Sequence, residues 1–206
     1  GTRFDNRPQA QTLKALQIAC ANMLTLTATD NRREHVGHGM PSLRNMYDRQ
    51  GKISIIPEDT PITQGDTHTY TYNVESGESI VKFVMSYVDP AGNPAAAFDR
   101  VNDLSMRVTQ PDGTSYWGNN GLDGAGQTNQ SAAGGFADTR DTVEAVILEN
   151  PQSGVWTVEI TAPTVTQDTF LATAATDASY ALVVNGGVEA GGSPLTTTFA
   201  SNNGGV

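Results

Sequence analysis

Residues 79–89 read Ser-Ile-Val-Lys-Phe-Val-Met-Ser-Tyr-Val-Asp, and their pattern decides the fold. Val81, Phe83 and Met85 alternate with a second, more polar set of side chains that includes Lys82. Successive side chains of a β-strand point to opposite faces of the sheet. A period of two therefore predicts a strand with one apolar face and one mixed face.

Outward from this strand, the same period recurs between short turn signals. Strand-like stretches occupy residues 67–74, 103–110, 115–118, 142–148, 155–161 and 179–184, with another around 169–173. Pro111-Asp112-Gly113 predicts a hairpin turn, because proline presets φ and glycine tolerates the positive φ that follows. About eight short strands of this kind predict a mainly β fold, an antiparallel β-sandwich or jelly roll over residues 53–188.

The two flanks of this β-region differ in character. Residues 8–24 and 41–48 show helical spacing of apolar side chains, which predicts a short helical N-terminal segment over residues 1–52. The expected apolar stripes are Leu13, Leu16, Ile18, Ala19, Met23 and Leu24 on the first helix, and Leu43, Met46 and Tyr47 on the second. Residues 189–206 are rich in glycine, serine and threonine, and we expect a linker or disordered tail there.

Charge is unevenly distributed along the chain. Residues 1–52 carry eight lysine and arginine side chains against four acidic ones, and residues 53–206 carry four against eighteen, for a net charge of −10. An acidic β-region repels phosphate backbones, which argues against nucleic-acid binding. No apolar run approaches the roughly 18 residues needed to cross a bilayer, so no membrane span is expected.

The sequence contains no recognisable catalytic motif. None of the three histidines lies where it would present a base to a serine, and we expect His35 and His38 in turns or at the surface and His68 on a strand surface. Cys20 is the single cysteine, so no internal disulfide is possible, and we expect a small buried helical residue. We assign no catalytic residue and expect the chain alone to be inactive as an enzyme.

Acidic and amide side chains collect where the predicted strands end, which suits calcium. Ca²⁺ takes about six to eight oxygen ligands from carboxylates, amides and backbone carbonyls. The candidate ligands are Asp89, Asn102, Asp103 and Asp141, with Asn119, Asn120, Asp123 and Asp138 in similar positions. The alternative is that these residue types are present because they favour turns.

Four short strings follow one another through the β-region. They are Val101-Asn102-Asp103-Leu104, Pro111-Asp112-Gly113-Thr114-x-Tyr116-x-Gly118-Asn119, Asp141-x-Val143-Glu144 and Pro151-x-Ser153-Gly154-x-Trp156-Thr157-Val158. In this order and spacing, residues 53–186 resemble the C-terminal β-jelly-roll that follows the catalytic domain in one branch of the subtilisin-like serine proteases. Gly37-His38-Gly39-Met40-Pro41 and the helix after it resemble the end of a subtilase catalytic domain.

This resemblance implies a noncatalytic C-terminal region of a secreted or cell-surface subtilisin-like endopeptidase. The family's serine, histidine and aspartate motifs are not found here, so the resemblance places the catalytic triad upstream of Gly1. The implied partners are that upstream catalytic domain, which this region would stabilise or whose substrate access it would shape, and the protein or peptide substrate of the parent. The family often has an aspartate where this chain has Ser105, which removes one carboxylate from the expected calcium ligands.

Two alternatives come from other classes of protein. A carbohydrate- or ligand-binding β-sandwich of a cell-surface protein would use exposed aromatic rings, for which Tyr116, Trp117 and Trp156 are the candidates. Strand alternation nevertheless predicts that at least one of the two tryptophans packs in the core. A cell-surface structural module is the other alternative, and the glycine-rich tail favours it.

Overall fold

The computed structural model describes residues 7–24, 31–96, 99–123 and 129–190, which form two antiparallel sheets and a few short helices. The helices are α1 (Ala10–Ala19), α2 (Arg33–Val36) and α3 (Leu43–Asp48), followed by a 3-10 turn at Gln50–Lys52. The strands are β1 (Ile53–Ile56), β2 (Pro61–Thr63), β3 (Thr67–Val74), β4 (Ile80–Tyr87), β5 (Asp103–Thr109), β6 (Ser115–Trp117), β7 (Val143–Glu149), β8 (Gly154–Thr164), β9 (Asp177–Asn185) and β10 (Val188–Glu189). The predicted mainly β fold with a short helical N-terminal segment is confirmed.

The strand order is that of a jelly roll. Sheet I runs β1-β9-β4-β7, with β2 also paired to β9, and sheet II runs β10-β3-β8-β5-β6. β1 and β2 pair with different stretches of β9, so together they occupy one strand position. From β3 to β9 the chain changes sheet at every connection except the β5–β6 hairpin, which gives the two-sheet arrangement of a jelly roll.

The main core lies between the facing surfaces of the two sheets. The Phe83 ring of sheet I lies 5.7 Å from the Trp156 ring and 6.1 Å from the Tyr72 ring, both of sheet II. Trp156 is fully buried, stacks on Tyr116 at 6.4 Å, and donates its indole N–H to the Gln152 carbonyl at 2.8 Å. The expectation of a core tryptophan is confirmed, and the candidacy of Trp156 as an exposed sugar-stacking ring is wrong.

Sheet I is covered on its other face as well, because α1 packs there against β4 and β9. Ala15 and Ala19 share an apolar cluster with Val84 and Val183, and their small side chains let the helix approach the sheet closely. Of the predicted apolar stripe of α1, Ala19 is buried and Leu16, Ile18 and Met23 pack against the same cluster, whereas Leu13 is exposed. The residues that α1 buries are Gln11, Thr12, Ala15 and Ala19.

Polar contacts fasten the N-terminal segment to the β-region. Glu58 accepts the Gln9 backbone N–H at 2.6 Å and the Thr12 hydroxyl, which places a carboxylate at the start of α1, where the helix dipole favours negative charge. Three basic side chains of residues 33–52 also form ion pairs with acids of the β-region. These pairs are Arg33 with Asp123 and Asp141, Arg49 with Glu78, and Lys52 with Glu75 and Glu78.

Other sequence expectations have mixed outcomes. The strand expected around residues 169–173 is wrong, because the segment forms turns in which Asp168 Oδ1 accepts the Phe170 N–H at 3.1 Å. Most of the expected tail, residues 191–206, lies outside the described residues, and the boundary between residues 52 and 53 stays a prediction. None of the described helices is long and apolar enough to span a bilayer.

Candidate functional site

Asp89 and Asn102, two of the predicted calcium ligands, lie together and fix the loop between β4 and β5. The Asp89 carboxylate accepts backbone N–H groups from Val101 at 2.7 Å and from Asn102 at 2.8 Å. The buried Asn102 Oδ1 accepts backbone N–H groups from Thr166 at 2.9 Å and Gln167 at 3.1 Å. The two side chains therefore tie this loop to the chain that leaves β8.

Asp103 and Asp141 each bind an arginine, but not the same one. The Asp103 carboxylate lies 2.9 Å from the Arg100 guanidinium and accepts the Ser105 hydroxyl at 3.2 Å. Burial raises the pKa of Asp103. The Asp141 carboxylate lies 2.6 Å from the guanidinium of Arg33 in α2.

The structure thus brings Asp89 into contact with Asn102 and assigns Asp103 and Asp141 to separate ion pairs. Within the described ranges, no three or more histidine, cysteine, aspartate or glutamate side chains are grouped so that they could hold a metal ion. An ionised carboxylate keeps further lone pairs after one or two hydrogen bonds. Calcium binding by these four residues stays a prediction.

Glu144 of β7 is a core carboxyl group that sequence reasoning did not select. Its Oε2 accepts the Met106 N–H at 2.7 Å, whereas its fully buried Oε1 has no partner among the described residues. Burial raises the pKa of Glu144 well above its usual range. Gly118 passes so close that a Cβ there would lie 2.2 Å from Oε2. The sequence did contain a signal for this position. Glu144 lies two and four positions from Val146 and Leu148, so its side chain is on the same core-facing side of β7 as theirs.

Two of the histidines are more enclosed than the sequence suggested. His68 Nδ1 lies 2.7 Å from the Tyr180 hydroxyl, which lies 2.6 Å from the Tyr70 hydroxyl, so this group links β3 of sheet II to β9 of sheet I. His38 is half-buried, and burial lowers its pKa to about 4. His35 is exposed, as expected.

A second candidate site is a cleft between the N-terminal segment and sheet I, which we call the polar cleft. Its volume is about 250 Å³, and its polar lining consists of Asn22, Asn45, Arg49, Ser79, Lys82 and Asn185. Lys82 is only 3% exposed, and its Nζ donates to the Ala21 carbonyl at 2.7 Å. Arg49 Nε donates to Asn185 Oδ1 at 2.6 Å, and its Nη2 donates to Glu78 at 2.6 Å.

The end of α1 forms one wall of the polar cleft. Asn185 Nδ2 donates to the Ala19 carbonyl at 2.9 Å and lies 3.7 Å from Cys20 Sγ. Burial raises the pKa of Cys20 to about 11, and the expectation of a small buried residue is confirmed. Sequence reasoning missed the cleft, although Lys82 stands out as a charged residue within the apolar run of β4.

Comparisons with known proteins assign no family to the chain. No protein-family model matches it, and no curated protein matches it. A solved structure with some similarity is that of the Bacillus licheniformis lipase BlEst2 in its propeptide form, with a TM-score of 0.33 and 12% sequence identity. That match covers 66% of this chain, and the chain spans 22% of the length of the lipase chain. A likeness this low carries no argument about function.

Proposed function

We propose that the chain is the noncatalytic C-terminal region of a secreted subtilisin-like serine endopeptidase. In this proposal the jelly roll stays attached to an upstream catalytic domain and either stabilises that domain or shapes the access of protein and peptide substrates. The ordered motif strings of the β-region support it at the level of sequence.

The observation that carries the proposal is the exposed apolar surface of the N-terminal segment. Met40, Leu43 and Tyr47 are exposed, with Leu43 at 82%, although the same segment is anchored to the β-region through α1 and through Arg49. Large exposed apolar side chains that are grouped in one segment favour an interaction surface. A catalytic domain that precedes this segment would cover these side chains.

The test uses the chain fused to the serine-protease domain that its parent reading frame encodes. Leu43→Ser combined with Tyr47→Ser should shorten the half-life of activity at elevated temperature several-fold, because the two side chains lose their apolar contacts. Leu171→Ser is the matched control, since Leu171 is 83% exposed but lies in the turn region after β8.

Three results would contradict the proposal. The upstream reading frame could lack a serine-protease motif, or the double variant could inactivate at the rate of the parent fusion. The third is proteolysis by the isolated chain that a serine-directed covalent inhibitor abolishes. In the isolated chain the double variant should unfold at the same temperature as the unsubstituted protein, because both side chains are exposed there.

Calcium is the cofactor that this proposal includes. If Ca²⁺ binds at Asp89, Asn102, Asp103 or Asp141, removing it with EDTA lowers the melting temperature of the isolated chain, and added CaCl₂ restores it. MgCl₂ serves as the control, because Mg²⁺ demands a tighter octahedral arrangement of ligands. An unchanged melting temperature would contradict calcium binding and would not affect the proposal of an accessory role.

A further inference from the structure

The polar cleft has a charge character opposite to that of the chain as a whole. The chain carries a net charge of −10, yet two cationic side chains, Arg49 and Lys82, line the cleft, and no carboxylate of the described residues does. The amide N–H groups of Asn45 and Asn185 already donate within the chain, which leaves the Asn22 amide and the Ser79 hydroxyl as neutral donor groups beside the two cations. Such a lining suits an anion.

Lys82 is the side chain of the cleft whose hydrogen-bond donors and positive charge are incompletely satisfied. Its ammonium has three N–H donors, and the Ala21 carbonyl is its one described acceptor. A buried ammonium without a counter-ion is unfavourable, and burial lowers the pKa of Lys82 to about 8. An anion in the cleft would satisfy the remaining donors and supply the missing charge.

The groups around Lys82 do not provide that negative charge. Arg49 is a cation whose guanidinium is engaged by Glu78. Burial raises the pKa of Cys20 to about 11 and lowers the pKa of His38 to about 4, so both side chains are neutral near pH 7. The negative charge that would stabilise the Lys82 ammonium is therefore expected from a bound molecule and not from the described residues.

The size and apolar walls of the cleft restrict the anion. The cleft volume of about 250 Å³ lies below the roughly 300–1,000 Å³ of pockets that hold drug-sized molecules, so a small ligand suits it. Met23 and Ile80 form apolar parts of the wall beside the cationic groups. We propose that the polar cleft binds a small aliphatic carboxylate, with its carboxylate on the Lys82 ammonium and its short hydrocarbon chain against Met23 and Ile80.

This binding site goes beyond the accessory role and does not depend on it. The ligand would contact Asn22 and Asn45 of the N-terminal segment as well as Lys82 and Ser79 of the β-region. Because it would bridge the two parts, its binding should strengthen their association and raise the melting temperature of the chain.

Titration calorimetry of the full chain with butanoate tests the proposal. We expect saturable binding of butanoate and none of butanamide, which has the same shape without the charge. Lys82→Met should weaken butanoate binding at least tenfold, while Lys14→Met, which removes the same charge from an exposed position of α1, should leave it unchanged. Inorganic phosphate that binds as tightly as butanoate would overturn the assignment of an aliphatic carboxylate.

A second measurement does not depend on a variant. NMR titration of the Lys82 side chain should show its pKa rising by about one unit or more when the cleft is saturated with butanoate, because the anion favours the ammonium form. No butanoate binding, an unchanged Lys82 pKa, or equal affinity of the Lys82→Met protein would each overturn the proposal.

Discussion

The two faces of sheet I are both buried, yet they are built from different chemistry. The face towards sheet II presents apolar side chains such as Phe83 and Met85, whereas the face beneath α1 includes Lys82 and Asn185 among its apolar residues. Backbone carbonyls at the end of α1, including that of Ala21, accept hydrogen bonds from these polar groups. A buried strand face therefore tolerates polar side chains where a helix end offers acceptors and a favourable dipole.

The largest effect should come from the inner core, through Trp156→Ala. Trp156 is fully buried between Phe83 and Tyr116, and truncating such a ring costs about 3–5 kcal/mol in free energy of unfolding. Urea denaturation followed by circular dichroism measures this cost. Val155→Ala, at the neighbouring and half-exposed position, should change stability by about 0.5 kcal/mol, and similar losses in both variants would contradict the described core.

The close approach of α1 to sheet I predicts the next largest effect. Ala15→Leu adds three carbon atoms to a fully buried position and should cost about 2–3 kcal/mol, because neither the helix nor the sheet has room for them. Gln17→Leu introduces the same side chain on the exposed side of α1 and should be nearly neutral. Equal unfolding free energies for the two variants would mean that α1 does not pack through its alanines.

Lys82→Met changes the face of sheet I beneath α1 and should raise the free energy of unfolding, whereas the two substitutions above should lower it. The Lys82 pKa is about 8 in the folded chain against an ordinary 10.5, so the unfolded chain binds this proton more tightly. The resulting penalty of roughly 3 kcal/mol is fully present below pH 8 and disappears as the pH rises towards 10.5. The hydrogen bond to Ala21 offsets about 1 kcal/mol, so the variant should gain about 2 kcal/mol near pH 7.

Urea denaturation of the parent and the Lys82→Met protein at several pH values tests whether the variant is the more stable of the two. The advantage of Lys82→Met should be largest near pH 7 and should shrink between pH 8 and 10. Lys14→Met controls for the loss of one positive charge, because Lys14 is exposed on α1. A Lys82→Met protein that is less stable than the parent at pH 7 would show that the ammonium is already compensated.

Much of the β-region could be predicted because its signals are local. Residues 67–74 form β3 as predicted, since alternation along one strand reports directly which side chains face the core. The same reasoning failed at residues 169–173, where a threonine side chain bonds locally. There Thr173 Oγ1 donates to Asp177 Oδ2 at 2.5 Å, and such side-chain bonds favour turns over strands.

The polar cleft could not be predicted because its contacts are distant in sequence. Arg49 and Asn185 are 136 positions apart, and nothing in either local sequence specifies that they meet. Lys82 was placed correctly on the more polar face of its strand, but alternation does not report that a helix covers that face. The choice of Ala15 rather than Leu13 for the buried side of α1 likewise follows from the sheet it contacts, not from the apolar period of the helix.

At pH 5 the smallest effect should come from Glu144→Gln, which tests the carboxyl group that the described strands place on the inner face of sheet I. Because burial raises the pKa of Glu144, the folded chain binds this proton more tightly than the unfolded chain does. This contribution to stability is fully present below the ordinary pKa of 4.5 and is lost as the pH rises above it. Glutamine keeps an acceptor for the Met106 N–H and cannot ionise, so the variant should differ by about 1 kcal/mol or less at pH 5 and lose stability less steeply than the parent between pH 5 and 8. Glu149→Gln alters an exposed carboxylate of the same strand and should keep the parental slope, whereas identical slopes in all three proteins would mean that Glu144 ionises inside the folded core.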